Sequence, residues 1–69
     1  MKLSARNQLK GTVVGIVEGA VNGIVKIDIG GQTINATISM NAIQDLKLKV
    51  GAPAYAVIKA TSVMLGVDD

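Results

Sequence analysis

The sequence predicts an all-β fold, a small five-stranded Greek-key barrel with one short helix between the third and fourth strands. Three observations lead to this prediction. Apolar residues recur at every second position in several short runs, as they do in half-buried strands. Glycine-rich breaks separate these runs and are typical of tight turns. The chain has 69 residues, which is room for a single domain spanning residues 1–69.

The first strand is predicted over Leu9–Val17, a run rich in β-branched residues. Gly11 and Gly15 interrupt one of its faces, which indicates a bulge or a strong bend. Two turns could lead into the second strand, Glu18-Gly19-Ala20 or Asn22-Gly23. We favour the earlier turn, because the later one would break the alternation that follows it.

The second strand has the clearest pattern in the chain, over Val21–Ile29, where one face is apolar and the other carries Asn22, Ile24, Lys26 and Asp28. Gly30-Gly31 follows directly, and a second alternating run extends over Gln32–Ser39. A Gly-Gly pair between two such runs predicts a tight β-hairpin.

A short helix is predicted to begin near Asn41-Ala42-Ile43-Gln44. Asn41 is one possible N-cap, with Gln44 three residues later, and Ser39 is a competing cap. Gly51 and Pro53 follow soon after and limit the length of the helix.

The fourth strand is predicted to open at Pro53 and to place Ala54, Ala56 and Ile58 on one face. After a break at Ala60-Thr61-Ser62, a last short strand is predicted over Val63–Val67, and the tail Asp68-Asp69 should be solvated and mobile. This order of elements is that of the OB-fold, and an SH3-like barrel is the nearest alternative.

Composition excludes several classes of chemistry. The chain has no Cys and no His, which removes the usual nucleophilic dyads and triads, zinc sites and disulfides. Its five carboxylates are scattered, except for Asp68 and Asp69, so no calcium loop is present. We therefore expect neither an enzyme nor a protein with a resident metal or cofactor.

Nucleic acid and membrane are also unfavourable partners. Tyr55 is the only aromatic residue, so platforms for base stacking are missing, and the net charge is only +2 with scattered basic residues. No apolar run approaches the roughly 18 residues that cross a bilayer, and no apolar region of a secretory signal follows Met1. A cytoplasmic location is expected.

The composition also predicts oligomerisation. Apolar residues make up 49% of the chain, but they are mostly Val, Ile, Ala and Leu, which bury less area than aromatic side chains. A monomer this small hides only about 60% of its chain surface. We therefore expect further apolar surface to be buried between subunits.

Two polar segments are candidates for binding an anion. Ser4-Ala5-Arg6-Asn7-Gln8 precedes the first strand, and Lys59-Ala60-Thr61-Ser62 lies at the break after the fourth. Each offers a cation, hydroxyl groups and backbone amides, the donors that suit an anion. The alternative is that both segments are ordinary solvated turns.

Both segments resemble the end motifs of one family. Ser4-Ala5-Arg6-Asn7-Gln8-Leu9-Lys10-Gly11 resembles the opening of the Mop, or molbindin, domain, a member of the TOBE group of OB-folds. Ala56-Val57-Ile58-Lys59-Ala60-Thr61-Ser62-Val63-Met64-Leu65 is similar to the closing Lys-centred motif of that family. The resemblance extends over nearly the whole chain, and the two motifs together are specific.

This resemblance implies a cytoplasmic protein that binds molybdate, and usually tungstate, for molybdenum storage and homeostasis. It implies a homohexamer, a trimer of dimers, with oxyanion pockets between subunits. Ser4, Ala5, Arg6 and Asn7 would reach the anion from one subunit and Lys59, Ala60 and Thr61 from another, with Ser39 as a further hydroxyl donor. A second class of site near a three-fold axis would be formed by Glu18, Gly19 and Ala20, where the negative charge of Glu18 departs from the pattern of some relatives.

Two other hypotheses stay open at this point. An OB-fold adaptor that binds a protein or a nucleic acid would use Ser4–Gln8 only as a lead-in to the first strand. A structural subunit could instead keep the hexamer and have lost its pockets.

Overall fold

The structure, a computed structural model, describes residues 1–68 and contains four strands, one α-helix and one 3₁₀ turn. The elements in chain order are β1 (Asn7–Val17), β2 (Asn22–Asp28), β3 (Thr33–Ser39), α1 (Met40–Asp45), β4 (Pro53–Ile58) and the 3₁₀ turn Ala60–Ser62. Of the predicted tail, Asp68 is exposed and Asp69 lies outside the described residues. No helix in these 68 residues is long and apolar enough to cross a bilayer.

The strands form one antiparallel sheet in the order β3-β2-β1-β4. The long strand β1 makes this possible, because its first half pairs with β4 and its second half pairs with β2. Its register shifts between Val13 and Gly15, which confirms the predicted bulge. A bulge bends the strand and increases the local twist, so the sheet curls into a half-barrel.

Both predicted hairpin turns are confirmed. β1 ends at Val17 and β2 begins at Asn22, so the chain turns through Glu18-Gly19-Ala20, as we expected. Gly30 and Gly31 link β2 to β3 with φ angles of +103° and +97°, a region that side chains disfavour. The Asp28 carboxylate accepts hydrogen bonds from the backbone N–H groups of both glycines, at 3.2 and 2.8 Å.

The core lies on the inner face of the curled sheet and beneath α1. Its buried members are Val13, Val25, Ile27, Ile43 and Ala56. The buried residues of β2 and β4 therefore lie on the faces that the alternation in the sequence groups together as apolar. Gly23 is buried, and a Cβ atom there would lie only 2.8 Å from Ile43 Cδ1 and 2.9 Å from Met40 Sδ, so the helix packs directly on the β2 backbone.

Ser39, and not Asn41, is the N-cap of α1. Ser39 has extended dihedral angles, and its hydroxyl oxygen accepts a hydrogen bond from the Ala42 N–H at 3.0 Å. Asn41 lies inside the first turn and is exposed. Of the two candidate caps, Ser39 takes the N-cap position because the chain passes from β3 into α1 there without an intervening loop.

The prediction of a fifth strand over Val63–Val67 was wrong, and the strand count is four. Val63 leaves the 3₁₀ turn in an extended conformation, with φ −93° and ψ 126°, but a strand also needs a partner edge. Within residues 1–68 this segment pairs with no strand, so the barrel stays open between β3 and β4.

Candidate functional site

The two polar segments singled out in the sequence meet at one end of the sheet. β1 and β4 pair in antiparallel register from Asn7 opposite Ile58 to Thr12 opposite Pro53. Arg6 and Lys59 are the next residues beyond the Asn7–Ile58 pair, so two cationic side chains emerge at the same end of the ladder. Neither Ser4–Asn7 nor Lys59–Thr61 contains a carboxylate, which makes this end of the sheet rich in donors.

Two side-chain amides donate hydrogen bonds to backbone carbonyl groups beside these donors. Asn7 Nδ2 donates to the carbonyl oxygen of Ile58 at 3.2 Å, and Gln8 Nε2 donates to the carbonyl oxygen of Ala5 at 3.1 Å. Each bond occupies an acceptor whose partial negative charge would otherwise repel an anion. An amide group has two hydrogens, so Asn7 keeps one for a ligand.

The 3₁₀ turn adds backbone donors to this end of the sheet. Its hydrogen bonds run from Ser62 N–H to the Lys59 carbonyl at 2.8 Å and from Val63 N–H to the Ala60 carbonyl at 3.3 Å. The N–H groups of Ala60 and Thr61 stand at the open start of the turn and have no partner within it. Together with the Thr61 hydroxyl they form a second row of donors after β4.

In a single chain these groups face water. Ser4, Arg6, Lys59, Ala60 and Thr61 are exposed, and only Ala5 and Asn7 are half-buried. Hydrogen bonds to an anion are stronger where water is excluded. A tight oxyanion site at this end of the sheet therefore requires a further surface to cover it.

Ser39 lies away from this cluster within the chain. It pairs with Asn22 at the far end of the β2–β3 ladder, next to the end of β1 where Val17 pairs with Ile24. Arg6 precedes the opposite end of β1 and is eleven positions from Val17 in the sequence, so the separation along the strand is on the order of 30 Å. One chain therefore does not bring Ser39 to the predicted anion donors.

The residues predicted for a second oxyanion site lie at the same end as Ser39. Glu18 and Gly19 line a shallow concavity of about 300 Å³ with Asn22 and Thr37, whereas Ala20 is not among its lining residues. The carboxylate of Glu18 opposes an anion there. Among residues 1–68 no three His, Cys, Asp or Glu side chains cluster as a metal site would require.

Sequence reasoning did not find the structural roles of Asn7 and Gln8. Asn7 was expected only as a ligand donor, and Gln8 was considered only as part of the polar segment Ser4–Gln8. Amide residues at the start of a strand can donate hydrogen bonds either to a ligand or to a backbone carbonyl group, and the sequence does not distinguish the two. Only the pairing of β1 with β4, over a separation of 51 residues, reveals that Asn7 joins the two segments.

Comparisons with known proteins place the chain among small binding domains. A family model described as the TOBE domain matches residues 3–65. A probable molybdenum-pterin-binding protein from Haemophilus influenzae is 61% identical over 69 residues, covering 99% of this chain and 100% of the relative.

Two solved structures share the fold. A molybdate-binding protein from Sporomusa ovata superposes with a TM-score of 0.92 at 36% identity, covering 97% of this chain and 100% of that chain. The cytoplasmic molybdate-binding protein ModG, solved with molybdate bound, gives a TM-score of 0.93 at 49% identity and covers 99% of this chain and 49% of that one.

Proposed function

The chain belongs to the TOBE domain family, in its Mop group of binding modules, and from this premise we propose that it binds molybdate, and tungstate as a close analogue. The family consists of binding modules and not of enzymes. The observation that carries the proposal is that Arg6 and Lys59 are the residues next to the Asn7–Ile58 pair, at the same end of the β1–β4 ladder. Relatives whose names refer to molybdate or molybdenum-pterin support it.

The chemistry of the donors fits a tetrahedral dianion. Molybdate is fully deprotonated at neutral pH and only accepts hydrogen bonds, which suits a cluster of donors without carboxylates. Hydrogen phosphate carries a proton that would face these donors without an acceptor, an unfavourable arrangement in a site shielded from water. Sulfate has no such proton, so the larger radius of molybdate must provide the discrimination.

The proposed assembly is a homohexamer built as a trimer of dimers, with the oxyanion between subunits. The exposure of Ser4, Arg6 and Lys59 in one chain supports this, because a second subunit can supply the missing cover. In this arrangement Ser4–Asn7 of one copy and Lys59–Thr61 of another contact the same anion. Ser39, which one chain holds far from Arg6, can join the pocket only from a neighbouring copy.

The proposed role is storage and buffering of molybdenum in the cytoplasm. A net charge of +2 on each copy sums over the assembly and raises the local concentration of anions. A relative described as cytoplasmic supports the location. The second site at Glu18, Gly19 and Ala20 is proposed as weaker, because Glu18 must be offset by donors from other copies.

Native mass spectrometry with and without molybdate tests this function. We expect an oligomer, a hexamer in the proposed assembly, that gains discrete molybdate or tungstate masses and no sulfate or phosphate masses at equal concentration. Calorimetric titration of the same samples gives the dissociation constants. An assembly that gains no oxyanion mass and releases no heat would contradict the function, and would favour a structural subunit or a macromolecular adaptor.

A further inference from the structure

The side chain of Gln8 holds the peptide group that precedes Arg6. Its Nε2 donates a hydrogen bond to the carbonyl oxygen of Ala5 at 3.1 Å, across a separation of three residues. The Ala5–Arg6 peptide bond is trans, since residues 1–68 contain no cis peptide bond. In a trans peptide group the C=O and the N–H point in opposite directions. With the carbonyl turned toward Gln8, the Arg6 N–H is therefore turned away from the Gln8 side chain.

The side chain of Asn7 holds the peptide group that precedes Lys59 in the same way. Asn7 Nδ2 donates to the carbonyl oxygen of Ile58 at 3.2 Å, so this carbonyl points toward β1 and the Lys59 N–H points away from β1. β4 is an edge strand, so the Lys59 N–H points to the open edge of the sheet. The peptide group before each of the two cations is thus oriented by a side-chain amide from the start of β1.

The two oriented N–H groups are not used within the chain. Arg6 and Lys59 lie just outside β1 and β4, and among residues 1–68 no oxygen atom accepts a hydrogen bond from the backbone N–H of either residue. Backbone N–H groups that lack a protein partner are suitable donors to an anion. Each cation of the candidate site therefore brings a second donor, and the direction of that donor is fixed.

The hydrogen bond of Gln8 contributes little to the stability of the fold. The bond is exposed and closes only a local turn, and Gln8 itself is an exposed residue. A long side chain loses rotamer freedom when it is held in one position, and this loss offsets much of what a neutral hydrogen bond contributes. The main effect of the bond is to select one orientation of the Ala5–Arg6 peptide group.

We propose that Gln8 is a positioning residue of the oxyanion site, which directs the Arg6 N–H at the anion and keeps the Ala5 carbonyl out of the pocket. This inference rests on the proposed function and deepens it. Gln8 acts through the peptide group and not by contact with the anion. Without the amide of Gln8 the peptide group can rotate, and the carbonyl then places an acceptor where a dianion needs a donor.

The same hydrogen bond makes Gln8 a determinant of specificity. Hydrogen phosphate carries a proton that needs an acceptor, and the Ala5 carbonyl is not available to it while it is turned toward Gln8. A peptide group that can rotate offers this carbonyl to the pocket. Loss of the Gln8 amide should therefore weaken the binding of molybdate and reduce the discrimination against hydrogen phosphate.

Gln8→Met tests this role, because methionine is similar in length and has no N–H to donate. We expect the dissociation constant of molybdate in calorimetric titrations to rise about tenfold, the lower end of what a hydrogen bond to a charged group contributes. The ratio of the phosphate to the molybdate dissociation constant should fall. Gln44→Met is the matched control at an exposed position in α1, and it should bind both anions as the wild-type protein does.

The amide resonance of Arg6 provides a readout that a general loss of stability would not change. In ¹⁵N-labelled wild-type protein we expect the Arg6 amide proton to shift downfield when molybdate binds. In Gln8→Met saturated with molybdate this shift should be lost, whereas the Thr61 amide should still shift. An Arg6 amide that shifts equally in both proteins would overturn the inference and leave the proposed function intact. Wild-type protein that releases no heat with molybdate would instead contradict the proposed function, and the inference with it.

Discussion

The side-chain amide of Asn7 donates a hydrogen bond to the carbonyl oxygen of Ile58 over 3.2 Å and thereby joins the start of β1 to the end of β4. The bond lies directly beside the two segments proposed to bind the oxyanion. It connects residues 51 positions apart in the sequence and is partly buried. Asn7 is therefore as much a positioning residue as a ligand donor.

Replacing Asn7 with Asp tests this double role. A carboxylate cannot donate to the Ile58 carbonyl and would repel both that oxygen and the anion. We expect the free energy of unfolding in urea to fall by about 1–3 kcal/mol and molybdate binding to be lost. Asn41→Asp, the same change at an exposed position in α1, should leave both quantities unchanged. A stable Asn7→Asp protein with wild-type affinity would remove Asn7 from the site.

Lys59 is expected to contribute to affinity and not to the fold, because its side chain is exposed. A hydrogen bond from a cation contributes roughly 1.5–3 kcal/mol, so Lys59→Ala should weaken molybdate binding roughly 10- to 150-fold in calorimetric titrations. Lys49→Ala removes the same charge from an exposed position in the loop before β4 and serves as the control. Equal losses in the two variants would mean that only net charge matters.

Substitutions at Ser39 separate its structural role from its binding role. Ser39→Ala removes the N-cap and should lower the free energy of unfolding by about 1 kcal/mol. Ser39→Asp keeps a capping oxygen and should restore stability, but it has no hydroxyl hydrogen for an anion. If Ser39 reaches the oxyanion from a neighbouring copy, both variants bind molybdate more weakly, whereas Ser39→Thr keeps both properties. Wild-type affinity in the Ala and Asp variants would exclude Ser39 from the pocket.

Gly23 tests the packing of α1 on the sheet. A methyl group at this position would lie 2.8 Å from Ile43 Cδ1 and 2.9 Å from Met40 Sδ, so the helix must shift. We expect Gly23→Ala to lower the free energy of unfolding by about 1–3 kcal/mol, measured by chemical denaturation. In Gly15→Ala the added carbon would meet Lys26 Cδ at an ordinary 3.5 Å, and that variant should be close to neutral.

Local patterns in the sequence were sufficient for the strands that pair with their neighbours in the chain. The alternation in β2 and the Gly30-Gly31 turn predict the β2–β3 hairpin, because both depend on contacts a few residues apart. Val63–Val67 has the same alternation and forms no strand in one chain. Alternation indicates which face of a segment is apolar, but it does not indicate whether the edge of another strand is available for pairing.

The candidate site could be predicted less well than the strands from short stretches of the sequence. Donor-rich segments such as Ser4–Gln8 and Lys59–Ser62 are common in ordinary turns, so composition alone did not establish that they meet. Their resemblance to paired motifs predicted it, and the register of β1 with β4 brings the segments together. Ser39 was one of two candidate caps, beside Asn41, and no sequence pattern shows that β1 separates it from Arg6.

The pairing of Asn7 with Ile58 also has a consequence for the order of folding. The β2–β3 hairpin and the β1–β2 turn close over a few residues, so we expect them to form early, whereas β4 must find β1 across most of the chain. Loop closure makes that last contact the slowest. We therefore expect a newly synthesised chain to bring its proposed oxyanion donors together only when folding is nearly complete, so that partly folded copies do not bind molybdate tightly.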